Sequence, residues 1–275
     1  MPDARISEPD DQPGPSRPGA IDLPVEGTAV IVRWEPNDDG IDIGIRGDVD
    51  DDRPETVAAT LAVVHGVIGA NGSRRIRLIG NHPPERIAAL PVAISAALGL
   101  RPSRHLVQMR RPLPVPADHP ARSTAPAVRL RPFTMGRDEE AWVRVNNEAF
   151  ATHPSQGTQT LATLEQTLAE PWIDLDGFLV ADDDDRPGEL AGFCWTRVHP
   201  PTDDDPELGE IFVIGVHPSR HGTGLGAALV LAGLDHLAWA GVATGMLYVE
   251  GDNAPARRLY DRLGFTPDAE IRIYT

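Results

Sequence analysis

Three short stretches hold residue types whose spacing can do chemistry. In the first, Gly209-Glu210-Ile211-Phe212-Val213-Ile214-Gly215-Val216 reads as an apolar strand. It runs through His217-Pro218-Ser219-Arg220-His221-Gly222-Thr223-Gly224-Leu225-Gly226 directly into an apolar helix. Strand, glycine loop and helix in that order let successive backbone N–H groups turn toward one point at the positive end of the helix, which suits a phosphate or pyrophosphate. The same glycines also suit a plain tight turn that caps a helix, and the loop alone does not separate the two. A dinucleotide site competes, because Glu250 ends the next strand where a ribose-binding acid would stand. Its spacing does not match: Gly222, Gly224 and Gly226 give G-x-G-x-G rather than G-x-G-x-x-G, and the loop does not follow the first strand of its unit.

The second stretch is the start of that strand. Glu210 shares a face with Phe212, Ile214 and Val216 unless a bulge intervenes, and it is either a general base entering an apolar strand or a solvated edge carboxylate. The third, Gly251 to Phe265, reads as a helix with Asp252 or Asn253 as N-cap, Pro255 in the first turn and Gly264 as stop. Ala256, Tyr260 and Leu263 fall on one of its faces, so Tyr260 either projects a phenol into a channel that Ala256 leaves open or packs as a core aromatic. Cys194 reads as a small buried hydrophobe, and His153, His199 and His221 show no carboxylate spacing that suggests a metal. The runs Asp182 to Asp185 and Asp203 to Asp205 read as solvated hairpin turns.

The elements that must position these residues follow from periodicity and turn signals. Residues 1–24 are rich in proline, acids and glycine and read as a disordered tail. A first α/β half over 25–114 holds a hairpin (Ala29 to Trp34, Ile41 to Ile45), helices from Pro54 and Pro84, and strands near Arg75 and His105. A proline-rich linker over 115–126 reads as unstructured. The second half, 127–275, reads as strands at 127–132, 177–182, 189–199, 209–216, 245–250 and 269–274, with helices at 137–150, 160–169, 224–240 and 253–263: a mixed sheet flanked by helices, α/β in class. Ala97-Leu98-Gly99-Leu100-Arg101-Pro102 is echoed by Arg262-Leu263-Gly264-Phe265-Thr266-Pro267, which suggests a duplication.

Composition narrows the chemistry. The 275 residues carry a net charge of −16, which argues against nucleic acid or an anionic membrane as the main partner. All 25 basic side chains are Arg, so a Schiff-base lysine and the lysine of a P-loop are excluded. A single cysteine rules out an internal disulfide and a multi-cysteine zinc site and fits a reduced, cytoplasmic setting, and no run is long enough to span a bilayer.

The glycine loop after a strand, followed by N-x-x-A-x-x-x-Y-x-x-x-G-F from Asn253 to Phe265, resembles the GNAT superfamily of acyl-CoA-dependent N-acetyltransferases. Over residues 98–275 the chain is most similar to the mycothiol acetyltransferase family, which joins two GNAT domains in tandem. That likeness is carried by Leu106-Val107-Gln108-Met109-Arg110-Arg111-Pro112-Leu113, Val145-Asn146-Asn147-Glu148-Ala149-Phe150, Glu170-Pro171-Trp172, Gly192-Phe193-Cys194-Trp195-Thr196-Arg197-Val198-His199 and Leu247-Tyr248-Val249-Glu250-Gly251-Asp252-Asn253. The resemblance implies a GNAT fold, with a catalytic C-terminal domain after a shortened, degenerate GNAT-like domain whose role is structural. It implies acetyl-CoA as co-substrate, no metal, a monomer, and transfer of acetyl to the cysteinyl amine of a cysteine-glucosamine-inositol pseudodisaccharide. Glu210 becomes the base and Tyr260 the acid that protonates the departing thiolate. Ile214, Gly215, Val216, His221, Gly222, Thr223, Gly224, Leu225, Gly226, Ala227, Asn253, Ala254, Pro255, Ala256, Arg257 and Arg258 become the acetyl-CoA contacts, with Arg197, Glu210 and Tyr248 toward the acceptor. Three positions depart from the family pattern: Ser155 and Gln159 stand where it has Glu and an aromatic, and Arg197 where it has Lys. Another small amine, a peptide N-terminus, or a non-catalytic acyl-CoA-binding role remain alternatives.

Overall fold

The computed structural model describes residues 18–25, 28–37, 40–47, 51–71, 76–82, 89–153, 156–202 and 205–275. Its elements are strands β1 (Gly19–Val25), β2 (Thr28–Asn37) and β3 (Gly40–Gly47), helix α1 (Pro54–Asn71), β4 (Ile76–His82), α2 (Ala89–Ala97), β5 (Pro102–Pro112), α3 (Pro120–Thr124), β6 (Leu130–Pro132), α4 (Glu139–Ala149) and α5 (Leu161–Leu168). They continue with β7 (Phe178–Asp182), β8 (Leu190–His199), β9 (Leu208–Val216), α6 (Leu225–Trp239), β10 (Thr244–Glu250), α7 (Ala254–Arg262) and β11 (Thr266–Tyr274). Two compact units emerge. Met1–Gln108, Val249–Asn253 and Pro267–Thr275 form the first, and Met109–Tyr248 with Ala254–Thr266 the second. The segments 249–253 and 267–275 thus group with the first unit, whereas the sequence places all of 127–275 in one domain.

In the first unit the strand order is β1-β2-β3-β4-β11. The expected hairpin is present: β2 and β3 pair antiparallel from Val30↔Gly47 to Asn37↔Gly40. Strict alternation drives it, since Val30, Val32 and Trp34 face Ile41, Ile43 and Ile45 in the core while Arg33 and Glu35 are exposed. The tail expected over 1–24 lies outside the described residues as far as 17, but from Gly19 it is a strand, paired antiparallel with β2. Gly19 accounts for part of this, because a Cβ there would lie 2.2 Å from the Trp34 ring, and Pro24 is tolerated because β1 is an edge strand.

The second unit has strand order β10-β9-β8-β7-β6. The linker expected to be unstructured holds α3, and Arg122 on it grips Asp235 of α6 with two hydrogen bonds of 2.8 and 2.5 Å. The two sheet faces differ sharply. On one face small residues let α6 approach closely: a Cβ on Gly233 would lie 2.7 Å from the Cys194 sulfur, and one on Gly209 would lie 2.8 Å from Leu237. The other face carries an aromatic stack. Phe178 lies between Phe133 and Trp195 with centroids 4.4 and 4.3 Å away, and Trp142 of α4 meets Phe193 edge-on at 5.3 Å. The stack continues from Trp195 to Phe212 at 5.8 Å and from Phe212 to Trp172 at 4.9 Å. Each such pair adds about 0.5–1.5 kcal/mol beyond burial, so this floor is stiff where it reaches β9.

Candidate active site

A bulge in β9 sets which residues face which way. The antiparallel register pairs Trp195 with Val213 and Thr196 with Ile211, leaving Phe212 as the extra residue. Glu210, Phe212, Val213 and Gly215 therefore lie on the aromatic side, where a Cβ on Gly215 would meet Phe193 and Ala149. Ile211 and Val216 face α6, meeting the positions a Cβ would take on Gly233 and Gly226. The single face expected for Glu210, Phe212, Ile214 and Val216 is thus corrected: the bulge turns the last two away from the first two.

The same bulge accompanies an opening. β9 and β10 run parallel, but their register holds only at Gly209↔Gly245 and Glu210↔Met246, so from Ile211 to Val216 β9 has no register partner on β10. The backbone N–H groups of Ile214, Gly215 and Val216 lie on this stretch, next to the loop that starts α6.

The loop is built to stay put. His217 begins it, accepting a 3.1 Å hydrogen bond from the Ser219 N–H and pairing with Glu148 of α4. The His221 Nε2–H donates to the Val216 carbonyl over 3.0 Å, and the Thr223 hydroxyl donates to the Arg220 carbonyl over 2.7 Å. Gly222 and Gly224 have φ of 76° and 86°, backbone that favours glycine. A Cβ at Gly222 would meet nothing within 4 Å, whereas one at Gly224 would lie 2.8 Å from Pro126. Gly222 thus borders open space in the loop that leads into α6, room that an anion cradle requires. Arg220 points away from it. It pairs with Asp183 and Asp185, and Asp183 also accepts from Arg186 at 2.8 Å.

This corrects the reading of 182–185 as a solvated turn, because Asp183 is buried as the hub of an ion-pair knot that anchors the loop. Burial alone would push its carboxyl up, but the hydrogen bonds from Arg220, Arg186 and the Asp185 N–H outweigh it and hold the group at about 2. Asp203 and Asp204 of the second acidic run lie outside the described residues, while Asp205 pairs with Arg110 at 2.7 Å.

α7 brings Tyr260 to the α6 side of the unit. A Cβ on Gly226 would touch Leu259 of α7 at 3.4 Å, which sets α7 beside the start of α6. Tyr260 is buried against Phe265, with centroids 5.9 Å apart. Burial raises its hydroxyl well above the ordinary tyrosine value, with a smaller contribution from nearby Cys194, so the phenol keeps its proton. Burial likewise pushes the Cys194 thiol up to about 12, so it is no nucleophile at neutral pH. Ala254, Pro255, Ala256, Arg257 and Arg258 form the first turns of α7, with Arg258 exposed. Asn253 immediately precedes them and groups with the first unit.

On the aromatic face, Trp195, Arg197 and His199 stand in a row on β8, and Arg197 lies directly opposite Glu210. The Arg197 guanidinium sits 4.4 Å over the Trp172 ring and 5.8 Å from that of Phe212, and its buried Nε has no hydrogen-bond partner among the described residues. Tyr248 is two residues beyond Met246, hence on the face of Glu210, and is 40% exposed. Sequence reasoning missed the partner of Glu210: His199 Nε2 lies 2.7 Å from Glu210 Oε2. No sequence interval signals it: the antiparallel register, with His199 opposite Leu208 and Arg197 opposite Glu210, carries His199 beside Glu210. Gln159 is held within the fold, its carbonyl and N–H clamped by Asn147 at 2.8 and 2.9 Å and its side chain accepting from Thr163. Ser155 lies outside the described residues. Among the described residues no group of His, Cys, Asp or Glu is arranged to hold a metal, and no helix is long and apolar enough to cross a membrane.

Residues 142–265 match the model of the acetyltransferase (GNAT) family. A mycothiol acetyltransferase of Kocuria rhizophila is 46% identical over 168 residues, which is 61% of this chain and 55% of that protein. Another, from Acidimicrobium ferrooxidans, is 50% identical over 173 residues, 63% of this chain and 54% of the relative. The matched stretch thus spans about half the length of these curated relatives. Among solved structures, a GCN5-related N-acetyltransferase from Sphaerobacter thermophilus superposes with a TM-score of 0.62 at 19% identity, over 90% of this chain and 77% of that one. A tandem GNAT protein from the clavulanic acid biosynthesis pathway gives a TM-score of 0.53 at 20% identity, over 90% and 78%. These likenesses show the fold.

Proposed function

Because residues 142–265 match the model of the acetyltransferase (GNAT) family, we propose that the chain transfers acetyl from acetyl-CoA to the cysteinyl amine of cysteinyl-glucosaminyl-inositol, forming mycothiol. The observation that carries the reading is the opening between β9 and β10. It joins an anchored glycine loop at a helix N-terminus, an unpaired strand edge, a buried carboxylate on one sheet face and a buried protonated phenol on the α6 side. The names of the relatives supply the acceptor.

Acetyl-CoA supplies the acetyl group as a thioester. The N–H groups from Gly222 to Gly226 hold its pyrophosphate, while the expected Ala227 contact is set aside because its N–H donates to the Gly224 carbonyl over 3.0 Å; the first turns of α7, with Arg257 and Arg258, lie beside that anion. The N–H groups of Ile214 and Val216, on the edge away from β8, align the pantetheine and face the carbonyl oxygen on which negative charge grows, while that of Gly215 turns to β8. Glu210 takes a proton from the acceptor ammonium, leaving a neutral amine to attack. Tyr260 gives its proton to the departing sulfur. Arg197, opposite Glu210, offers its unpaired Nε–H to an acceptor oxygen, and Tyr248 flanks the same face. Arg for Lys changes a point charge into a flat donor stacked on Trp172, which favours a planar or two-oxygen contact.

The test is acceptor-dependent release of CoA thiol together with the mass of the product. Release that depends on cysteinyl-glucosaminyl-inositol, with one acetyl group added to it, supports the reading. Binding of acetyl-CoA without acceptor-dependent release contradicts it.

A further inference from the structure

We propose that His199 is the positioning residue of the base. The inference rests on the acetyltransferase reading above.

Its grounds are the contacts and exposures of three neighbouring side chains. Glu210 is 9% exposed while His199 is 31% exposed, and the two meet through Nε2 and Oε2 at 2.7 Å. They stand on the same sheet face, His199 at the open end of the row that begins with Trp195 and Arg197. A carboxylate in this place has a rotatable head and an apolar floor made by Phe212, Trp172 and Trp195. The guanidinium across from it is turned onto Trp172 rather than onto the carboxylate, for no ion pair joins Arg197 to Glu210 among the described residues. The imidazole is then the group that fixes Oε2, leaving Oε1 for the acceptor amine.

The proton balance follows from this geometry. Nε2–H donates to Oε2, and Oε1 takes one proton from the acceptor ammonium, which leaves a neutral amine. Because Nε2 already carries its own proton, the transferred proton stays on the Glu210 carboxyl and passes to water once the product leaves. The other ionisable groups around the pair are Arg197 on β8, Tyr248 on β10 beyond Met246, and the ion pair of Arg110 with Asp205 in the segment leading into β9. None of these holds Glu210 Oε2 as the imidazole does.

Two substitutions test the holding role. His199→Gln keeps an N–H donor within reach of Oε2, while His199→Ala removes it. With acetyl-CoA and cysteinyl-glucosaminyl-inositol, His199→Ala is expected to lose about tenfold or more in kcat, to gain several-fold in the acceptor KM and to shift the acidic limb of the pH–rate profile. His199→Gln is expected to recover most of all three. Unchanged kcat, KM and pH profile in His199→Ala, or a His199→Gln no better than His199→Ala, overturn the inference while wild-type turnover stands. Absence of acceptor-dependent turnover in the wild type overturns the function reading and this inference together.

Discussion

The two groups proposed for proton transfer differ in surroundings, and the difference predicts how each substitution behaves. Tyr260 is buried and keeps its proton, so Tyr260→Phe removes a donor while preserving packing against Phe265. We predict a fall in kcat of about 10², the low end for general acid help because a thiolate leaves readily, with acetyl-CoA affinity unchanged by calorimetry. Glu210→Gln removes the base. It should cut kcat/KM for the amine and flatten the acidic limb of the pH–rate profile, and full activity with an unchanged limb would assign the base elsewhere. At the loop, Gly222→Ala meets open space but must adopt a φ of 76°, a cost of roughly 1–2 kcal/mol. Acetyl-CoA affinity should fall about tenfold, read by calorimetry on a protein that melts as a folded chain. The strand that carries Glu210, the helix that carries Tyr260 and the glycine turn before α6 were legible from residue type and spacing. His199 was not, because its role comes from a strand register, and no sequence interval between His199 and Glu210 marks a pair.

Elements position these residues through contacts that the sequence hides to different degrees. The repeated Leu-Gly motif was readable down to its geometry. Gly99 and Gly264 both have positive φ, 72° and 81°, and in each case the next residue's N–H reaches back to close the helix end, Leu100 to the Ser95 carbonyl and Phe265 to the Tyr260 carbonyl. The bulge at Phe212 was not readable, since an unbroken apolar run shows no change of period where one residue is added. Nor was the knot around Asp183, where a run of four aspartates looks like a solvated turn until one of them is buried between Arg186 and Arg220. This knot carries its own prediction. Asp183 is held below its ordinary 3.8, at about 2, so its contribution of roughly 2 kcal/mol is fully present above pH about 4 and is lost as pH falls toward 2. Asp183→Asn should lower the melting temperature at pH 7, weaken acetyl-CoA binding through the loosened loop, and remove that part of the acid sensitivity seen in thermal scans across pH.

At the scale of the whole molecule, residues 142–265, which match the model of the acetyltransferase (GNAT) family, are accompanied by a first unit in which, among the described residues, no loop like that of 217–226 follows a strand. The α/β class and the hairpin-then-alternating order of the second unit were legible from periodicity. The grouping of 249–253 and 267–275 with the first unit was not, because sequence order carries no sign of which unit a late strand will join. A ligand that binds only the folded second unit must raise its stability, by about 2.7 kcal/mol at a concentration 100 times its dissociation constant. A melting-temperature rise with acetyl-CoA that Gly222→Ala diminishes is therefore expected. The central claim, that acyl transfer takes place in the opening between β9 and β10, is tested most directly by a crystal structure with CoA bound. The account predicts the pyrophosphate on the N–H groups from Gly222 to Gly226, the pantetheine along Ile214 to Val216, and the sulfur within hydrogen-bond reach of the Tyr260 hydroxyl. CoA seated away from the glycine loop, or with its sulfur remote from both Glu210 and Tyr260, would contradict it.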